Sequence, residues 1–228
     1  EVLDTLRSLR IEHNRFRVVL TGSIGLHHVL GKLSAAGIPT SATNDLYAIT
    51  APPLSPSDAS RLAADLLQGE NILCDDRQQV AETIASQVDG FPYYIHHVVA
   101  GLRLEQSIAT PASIRRHIES QLVNAADPWQ LTHYRTRLPT YYPNPDDARN
   151  VTAILDALAT NSTPENPLSI NQLLQLAPPH INGQHDREDL LRLLRLMDAD
   201  HYISRNTSGG FHFRFPLIQR WWKLERGL

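Results

Sequence analysis

Ser23 stands in the run Thr21-Gly22-Ser23-Ile24-Gly25, after an apolar, β-branched stretch and before a helical pattern. That is the setting of a nucleophile elbow, where a serine at a sharp strand-to-helix turn presents Oγ for acyl transfer. The G-x-S-x-G pattern fails at its first position, which holds Thr21, and no histidine downstream stands out as the base of a triad. Serine hydrolysis is therefore a weak reading. The histidines raise metal chemistry next. His27-His28 and His96-His97 are adjacent pairs, and neighbours on a helix point about 100° apart, so a pair cannot chelate one ion together. His180 and His185 have loop spacing without an acidic or cysteine partner arranged for zinc. Surface or capping roles explain these histidines better than a metal does.

Arginines form the third group. Arg187, Arg192 and Arg195 fall on one helical pattern, and Arg205 and Arg214 flank the strands that follow. Cations on one face are what phosphate contacts with nucleic acid require. Asp186, Glu188, Asp189, Asp198 and Asp200 lie among them and cancel much of that field. Arginines interleaved with leucines are more often a solvated helix face.

The elements that must position these residues follow from periodicity. Residues 1–13 place Val2, Leu3, Leu6 and Leu9 at helical spacing. Phe16 to Thr21 is β-branched and apolar and predicts a buried strand. A helix is expected from about 25 to 36 and a second short strand over Leu46 to Thr50. Helix–strand–helix–strand order is the pattern of a parallel sheet with crossover helices, and two strands alone do not make a stable sheet. With Glu1 opening directly inside a helical pattern, the chain is expected to be part of a longer protein whose beginning lies upstream.

Ala51-Pro52-Pro53-Leu54-Ser55-Pro56 is a boundary, with Ser55 an N-cap and Pro56 at the first helical position. From 57 to about 104 the pattern is helical, broken at Gly90-Phe91-Pro92, where Gly90 is expected as a helix C-cap and Pro92 as a helix start. Thr110-Pro111 opens another helix to about 123. Residues 124–147 form an aromatic, irregular connector. Helices over 148–160, 168–176 (capped by Ser169) and 186–198 precede His201 to Ser204, a Gly209-Gly210 turn and Phe211 to Phe215, whose alternation predicts a hairpin. Pro216 begins a closing helix in which one of Trp221 and Trp222 is expected to anchor the core and the other to meet a partner surface or the helical segment over 53–123.

Composition narrows the classes. Net charge is -3, with 42% hydrophobic and 20% charged residues, as in ordinary globular domains, so no global field draws nucleic acid or anionic membrane. One cysteine, Cys74, excludes an intrachain disulfide framework and is expected to be a buried or half-buried apolar residue. No apolar run is long enough to span a bilayer and no signal peptide is seen, so a cytoplasmic location is expected.

Taken in order, the motifs resemble the C-terminal portion of AAA+/STAND-type P-loop ATPases of the archaeal-ATPase kind. Arg17-Val18-Val19-Leu20-Thr21-Gly22-Ser23 looks like the fourth core strand and sensor-1 region of that family. Pro53-Leu54-Ser55-Pro56-Ser57-Asp58-Ala59 resembles the opening of its helical lid, and Gly90-Phe91-Pro92 its GxP motif. Phe215-Pro216-Leu217-Ile218-Gln219-Arg220-Trp221-Trp222 is similar to the close of its winged helix. The resemblance implies a mainly α fold with an α/β remnant: the end of a parallel P-loop NTPase sheet over 1–52, a helical lid over 53–123, a connector over 124–146 and a winged-helix domain over 147–228. It also implies nucleotide contacts at Ser23 (first choice) or Thr21 as sensor 1, and at Gly90 and Pro92 near adenine or ribose. An arginine finger is not assigned; Arg115 and Arg116 are candidates.

No G-x-x-x-x-G-K-[ST] occurs in the chain, so no loop of this sequence can cradle phosphates in the P-loop manner. ATP or ADP and Mg²⁺ are accordingly expected in a full-length parent and not in this chain alone, which is not expected to be an active enzyme. The expected partners are the absent N-terminal NTPase core and an effector the sequence does not name. DNA is possible through Arg187, Arg192, Arg195 and Arg205, as for a winged-helix regulator without ATPase activity, and a membrane is not expected.

Overall fold

A computed structural model describes residues 2–21, 25–38, 46–47, 49–177 and 187–228. The chain divides into two compact units, residues 1–51 and 52–228. The fold is mainly helical, and among the described residues the sheet is one two-stranded antiparallel pair.

The first unit contains α1 (Val2–Glu12) and α2 (Leu26–Ala35), close to where periodicity placed them. The two expected strands are not formed among the described residues. Residues 16–21 and 46, 47, 49 and 50 lie in no strand, and none of the apolar side chains meant for a sheet is buried: Val19 is 83% and Ile49 83% exposed, and Phe16, Val18 and Leu46 are half-buried. The reason is physical: β propensity creates a strand only where a neighbour satisfies its N–H and C=O groups. The expectation of a buried strand is thereby corrected for this chain.

The second unit begins with four helices, α3 (Pro56–Gly69), α4 (Arg77–Gln87), α5 (Pro92–Glu105) and α6 (Pro111–Leu122). Their starts are written locally. Ser55 Oγ accepts from the Asp58 N–H, Asp76 accepts from the Gln79 N–H, and Thr110 and Ser113 form a reciprocal capping box. Each satisfies a donor that the first helical turn leaves without a partner. Ala59, Ala63 and Leu67 of α3 meet Val80 and Ile84 of α4 and Ile95 and Val98 of α5 in the buried core.

Two single-turn helices, α7 (His133–Thr136) and α8 (Leu138–Tyr141), interrupt the connector. This segment packs inward: Trp129, Leu131, Leu138, Tyr141 and Tyr142 are all buried. Arg137 is the hub. Its guanidinium sits over the rings of Tyr134, Tyr141 and Tyr202 at 4.5, 5.4 and 4.9 Å, and its Nε donates to the Tyr202 hydroxyl at 2.8 Å.

Beyond it come α9 (Pro145–Asn161), α10 (Ile170–Leu176) and α11 (Arg187–Ala199). The hairpin β1 (Ile203–Arg205) and β2 (Phe211–Phe213) and the closing α12 (Pro216–Arg226) complete the chain. Ser169 caps α10 in a box with Gln172. Ile203 pairs with Phe213 and Arg205 with Phe211, and Leu168 adds a bridge to Phe211 with both N–H···O bonds at 2.8 Å. The turn depends on Gly209, at φ +86°, a left-handed conformation open to glycine without steric cost. Closing helix α12 buries Leu217, Ile218, Trp221 and Trp222. Both tryptophans are core residues, Trp221 at 3% and Trp222 at 0% exposure; Trp222 is the core anchor, and Trp221 lies beside Leu122 and Val123 at the end of α6, in the segment read as the lid. Asp156 of α9 holds this helix, accepting from Trp222 Nε1 at 2.8 Å and from Arg226 at 3.0 and 2.8 Å.

Candidate functional site

The α4–α5 junction is where two motif segments meet. Helix α4 ends with the Gly90 N–H reaching the Ala85 carbonyl at 2.9 Å, which places Asp89 at φ +53° and Gly90 at φ +69°. The helix C-cap is Val88 and not Gly90 as expected; Asp89, the residue after the cap, fills the left-handed position where glycine is usual, and Gly90 follows it. Aspartate tolerates that conformation better than most residues. Gly90 is needed for a second reason: a Cβ there would lie 2.7 Å from the Leu54 carbonyl oxygen. The close approach lets the Leu54 N–H donate to the Gly90 carbonyl at 3.0 Å. The lid-opening segment and the Gly90-Phe91-Pro92 loop, 36 residues apart by Leu54 and Gly90 numbering, are therefore in backbone contact.

A pocket of about 480 Å³ opens beside this contact, between α3 and α4. Leu54, Pro56, Ala59 and Ala85 form its apolar walls, and Glu82 and Asp89 are among its lining residues. The size falls in the range of small-molecule sites. Thr83 and Ser86 also line it, but their hydroxyls donate to the Gln79 and Thr83 carbonyls of α4, so neither is set up as a nucleophile.

Asp89 is the unusual group. Burial pushes its carboxyl from 3.8 up to about 6, against the opposing hydrogen bond from the Leu217 N–H and the charge of Arg220. The Leu217 bond is 2.7 Å long. Arg220, one turn along α12, donates to the Gln87 carbonyl at 2.5 Å and to Gln87 Oε1 at 2.9 Å. Phe91 and Phe215 close the junction edge to face, with ring centroids 4.6 Å apart.

The expected site residues are distributed as follows. Gly90 lines the pocket; Pro92 is the first residue of α5, exposed, and does not line it. Thr21 is an exposed residue of the first unit, and Ser23 lies outside the described residues. Arg115 and Arg116 are exposed on α6. The arginine set does not act as one face. Arg192 is committed to Asp147 of α9 at 2.7 Å, Arg187 donates to Asn171 of α10 at 2.9 Å, and Arg205 lies against Phe211. Arg214 donates to His201 at 2.8 Å, and Arg195 is an exposed residue of α11. His96 and His97 follow the Tyr93 turn of α5, where the His97 ring lies 4.4 Å from that of Tyr93. Burial pushes the Cys74 thiol up, as expected of a half-buried structural cysteine.

Asp89, Arg220 and Phe215 were not foreseen as a group. Asp89-Gly90 reads locally as turn chemistry and Arg220 as a solvated helix residue; nothing in a linear pattern pairs positions that far apart. The chain matches no protein-family model and no curated protein.

Proposed function

We propose that residues 52–228 are the lid and winged-helix portion of an AAA+/STAND-type ATP-binding switch, and that the pocket beside Gly90 receives the base or ribose of its nucleotide. The observation that carries this reading is the Leu54–Gly90 contact, which joins the two segments resembling the lid opening and the GxP motif around one pocket. The element order supports the winged-helix part: helix, bridge, two helices and a hairpin, with Leu168 paired to Phe211. On this reading residues 1–51 continue the nucleotide core, with Ser23 or Thr21 at its sensor. The phosphate loop and Mg²⁺ site belong to sequence that these 228 residues do not contain.

The alternative, a winged-helix DNA regulator, draws on the same helix order. It has less support, because Arg192 and Arg187 already serve as contacts within the fold. Phosphate binding needs cations free to displace counterions.

Calorimetric titration of ATP and ADP with Mg²⁺ tests the proposal. A full-length parent should bind, the 228-residue chain should not, and Gly90→Ala in the parent should weaken binding at least tenfold. A parent that binds neither nucleotide overturns the reading, and salt-dependent duplex binding by the chain would favour the alternative.

A further inference from the structure

The joint between the Gly90 loop and α12 is built from reciprocal helix capping. Helix α12 begins with Pro216, and the Phe215 side chain supplies no cap. The N–H of Leu217 is one of the donors that the first turn cannot satisfy internally. It is satisfied instead by the Asp89 carboxylate, 128 residues earlier in the chain. On the other side, α4 ends at Gln87, whose carbonyl belongs to the last turn and lacks a partner along the helix. Arg220 supplies that partner, and its second nitrogen holds the Gln87 side chain. Each segment thus completes the end of the other's helix, and the Phe91–Phe215 pair fills the space between.

We infer that Asp89 and Arg220 are positioning residues through which α12 sets the geometry of the Gly90-Phe91-Pro92 loop, so that the closing helix and the pocket beside Gly90 change together. Asp89 and Gly90 line that pocket, and Asp89 is held in a left-handed conformation that disfavours a residue with a Cβ. The Gly90–Ala85 bond sets that conformation, and the contact from α12 holds the side chain that extends from it. A ligand that shifts the loop must strain the cap of α12, and a partner that pulls on α12 must release the loop; thermodynamic coupling runs equally both ways. Charge supports the arrangement: Arg220 faces Asp89 from within α12 and Glu119 from α6. The coupling of loop and helix needs no nucleotide; its consequence for ligand affinity rests on the nucleotide reading above.

Hydrogen exchange followed by mass spectrometry on the 228-residue chain tests the coupling. Arg220→Ala should speed exchange of amides 88–95 several-fold, and Asp89→Ala should speed exchange of amides 217–221. Asp89→Asn, which keeps an acceptor for the Leu217 N–H, should restore most of the protection. If each alanine variant loosens only its own segment, the coupling is overturned. Should Arg220→Ala lose its helical circular dichroism, Arg220→Lys, which keeps the charge but not the forked donors, is read in the same way. In the parent, Arg220→Ala should weaken ADP binding about tenfold. Failure of the unaltered parent to bind overturns the nucleotide reading and leaves the exchange data to decide the coupling. An unchanged ADP affinity in a variant with faster exchange at 88–95 overturns the positioning role.

Discussion

The Asp89 carboxylate accepts the Leu217 backbone N–H at 2.7 Å, so a residue ending one helix caps the start of another 128 positions later. It does so from a half-buried position in which its own ionisation is disfavoured, with the carboxyl pushed up to about 6. The bond joins the first four helices of the second unit to its closing helix at the edge of the pocket.

That elevated value carries a sign. The folded state holds the Asp89 proton more tightly than the unfolded chain, where the carboxyl returns to 3.8. Its favourable contribution is full below that pH and is lost as pH rises through about 6. Asp89→Asn has no such loss. Between about pH 4 and pH 7 the stability difference should move in favour of the Asn variant by about 2 kcal/mol. Urea midpoints at the two pH values measure this, and parallel curves for the two proteins would refute it.

Gly90→Ala should destabilise the second unit by roughly 2–4 kcal/mol. The new Cβ meets a backbone oxygen, Leu54 O at 2.7 Å, and the residue must keep φ +69°. Neither problem is relieved by a side-chain rotation. Chemical denaturation is the measurement, and a loss under about 0.5 kcal/mol would show that the loop is more adaptable than this contact implies.

Asp156 satisfies the indole of fully buried Trp222 and the fork of Arg226. Asp156→Ala leaves a buried N–H without its acceptor, and the expected loss is about 2 kcal/mol. Asp156→Asn keeps an acceptor and should lose less. Thermal melts monitored by tryptophan fluorescence rank the two, and equal losses would place the effect in the Arg226 ion pair.

Arg137→Lys should behave almost like Arg137→Ala, each costing about 1–3 kcal/mol. The planar guanidinium covers three tyrosine rings while Nε reaches Tyr202. A lysine ammonium cannot stack on them and donate to Tyr202 in the same geometry. A lysine variant as stable as the native chain would show that charge alone is what the site needs.

Much of the second unit was legible because helix boundaries are local chemistry. Ser55, Thr110 and Ser169 cap within three residues of themselves, and Pro56, Pro92, Pro111 and Pro216 each occupy a first helical turn. The Gly209 hairpin is equally local. Side-chain alliances were less legible: Arg192 reads as one of three cations on a helix, yet it spends its charge on Asp147, 45 residues away.

Sequence by itself determined most of the longer helices of 52–228, the caps and prolines that start them and their apolar faces, since caps, prolines and a 3.6-residue period act over a few positions. The break between α3 and α4 and the single-turn α7 and α8 were not among them. Tertiary structure alone decided that both Trp221 and Trp222 are buried, that Asp89 caps α12, and that Leu54 lies against Gly90. It also decided that the β-branched residues at 16–21 form no strand among the described residues. The physical reason is common to all of these: a buried surface, a through-space cap and a strand each need a partner supplied from elsewhere in the chain, and a local pattern states the need without naming the partner.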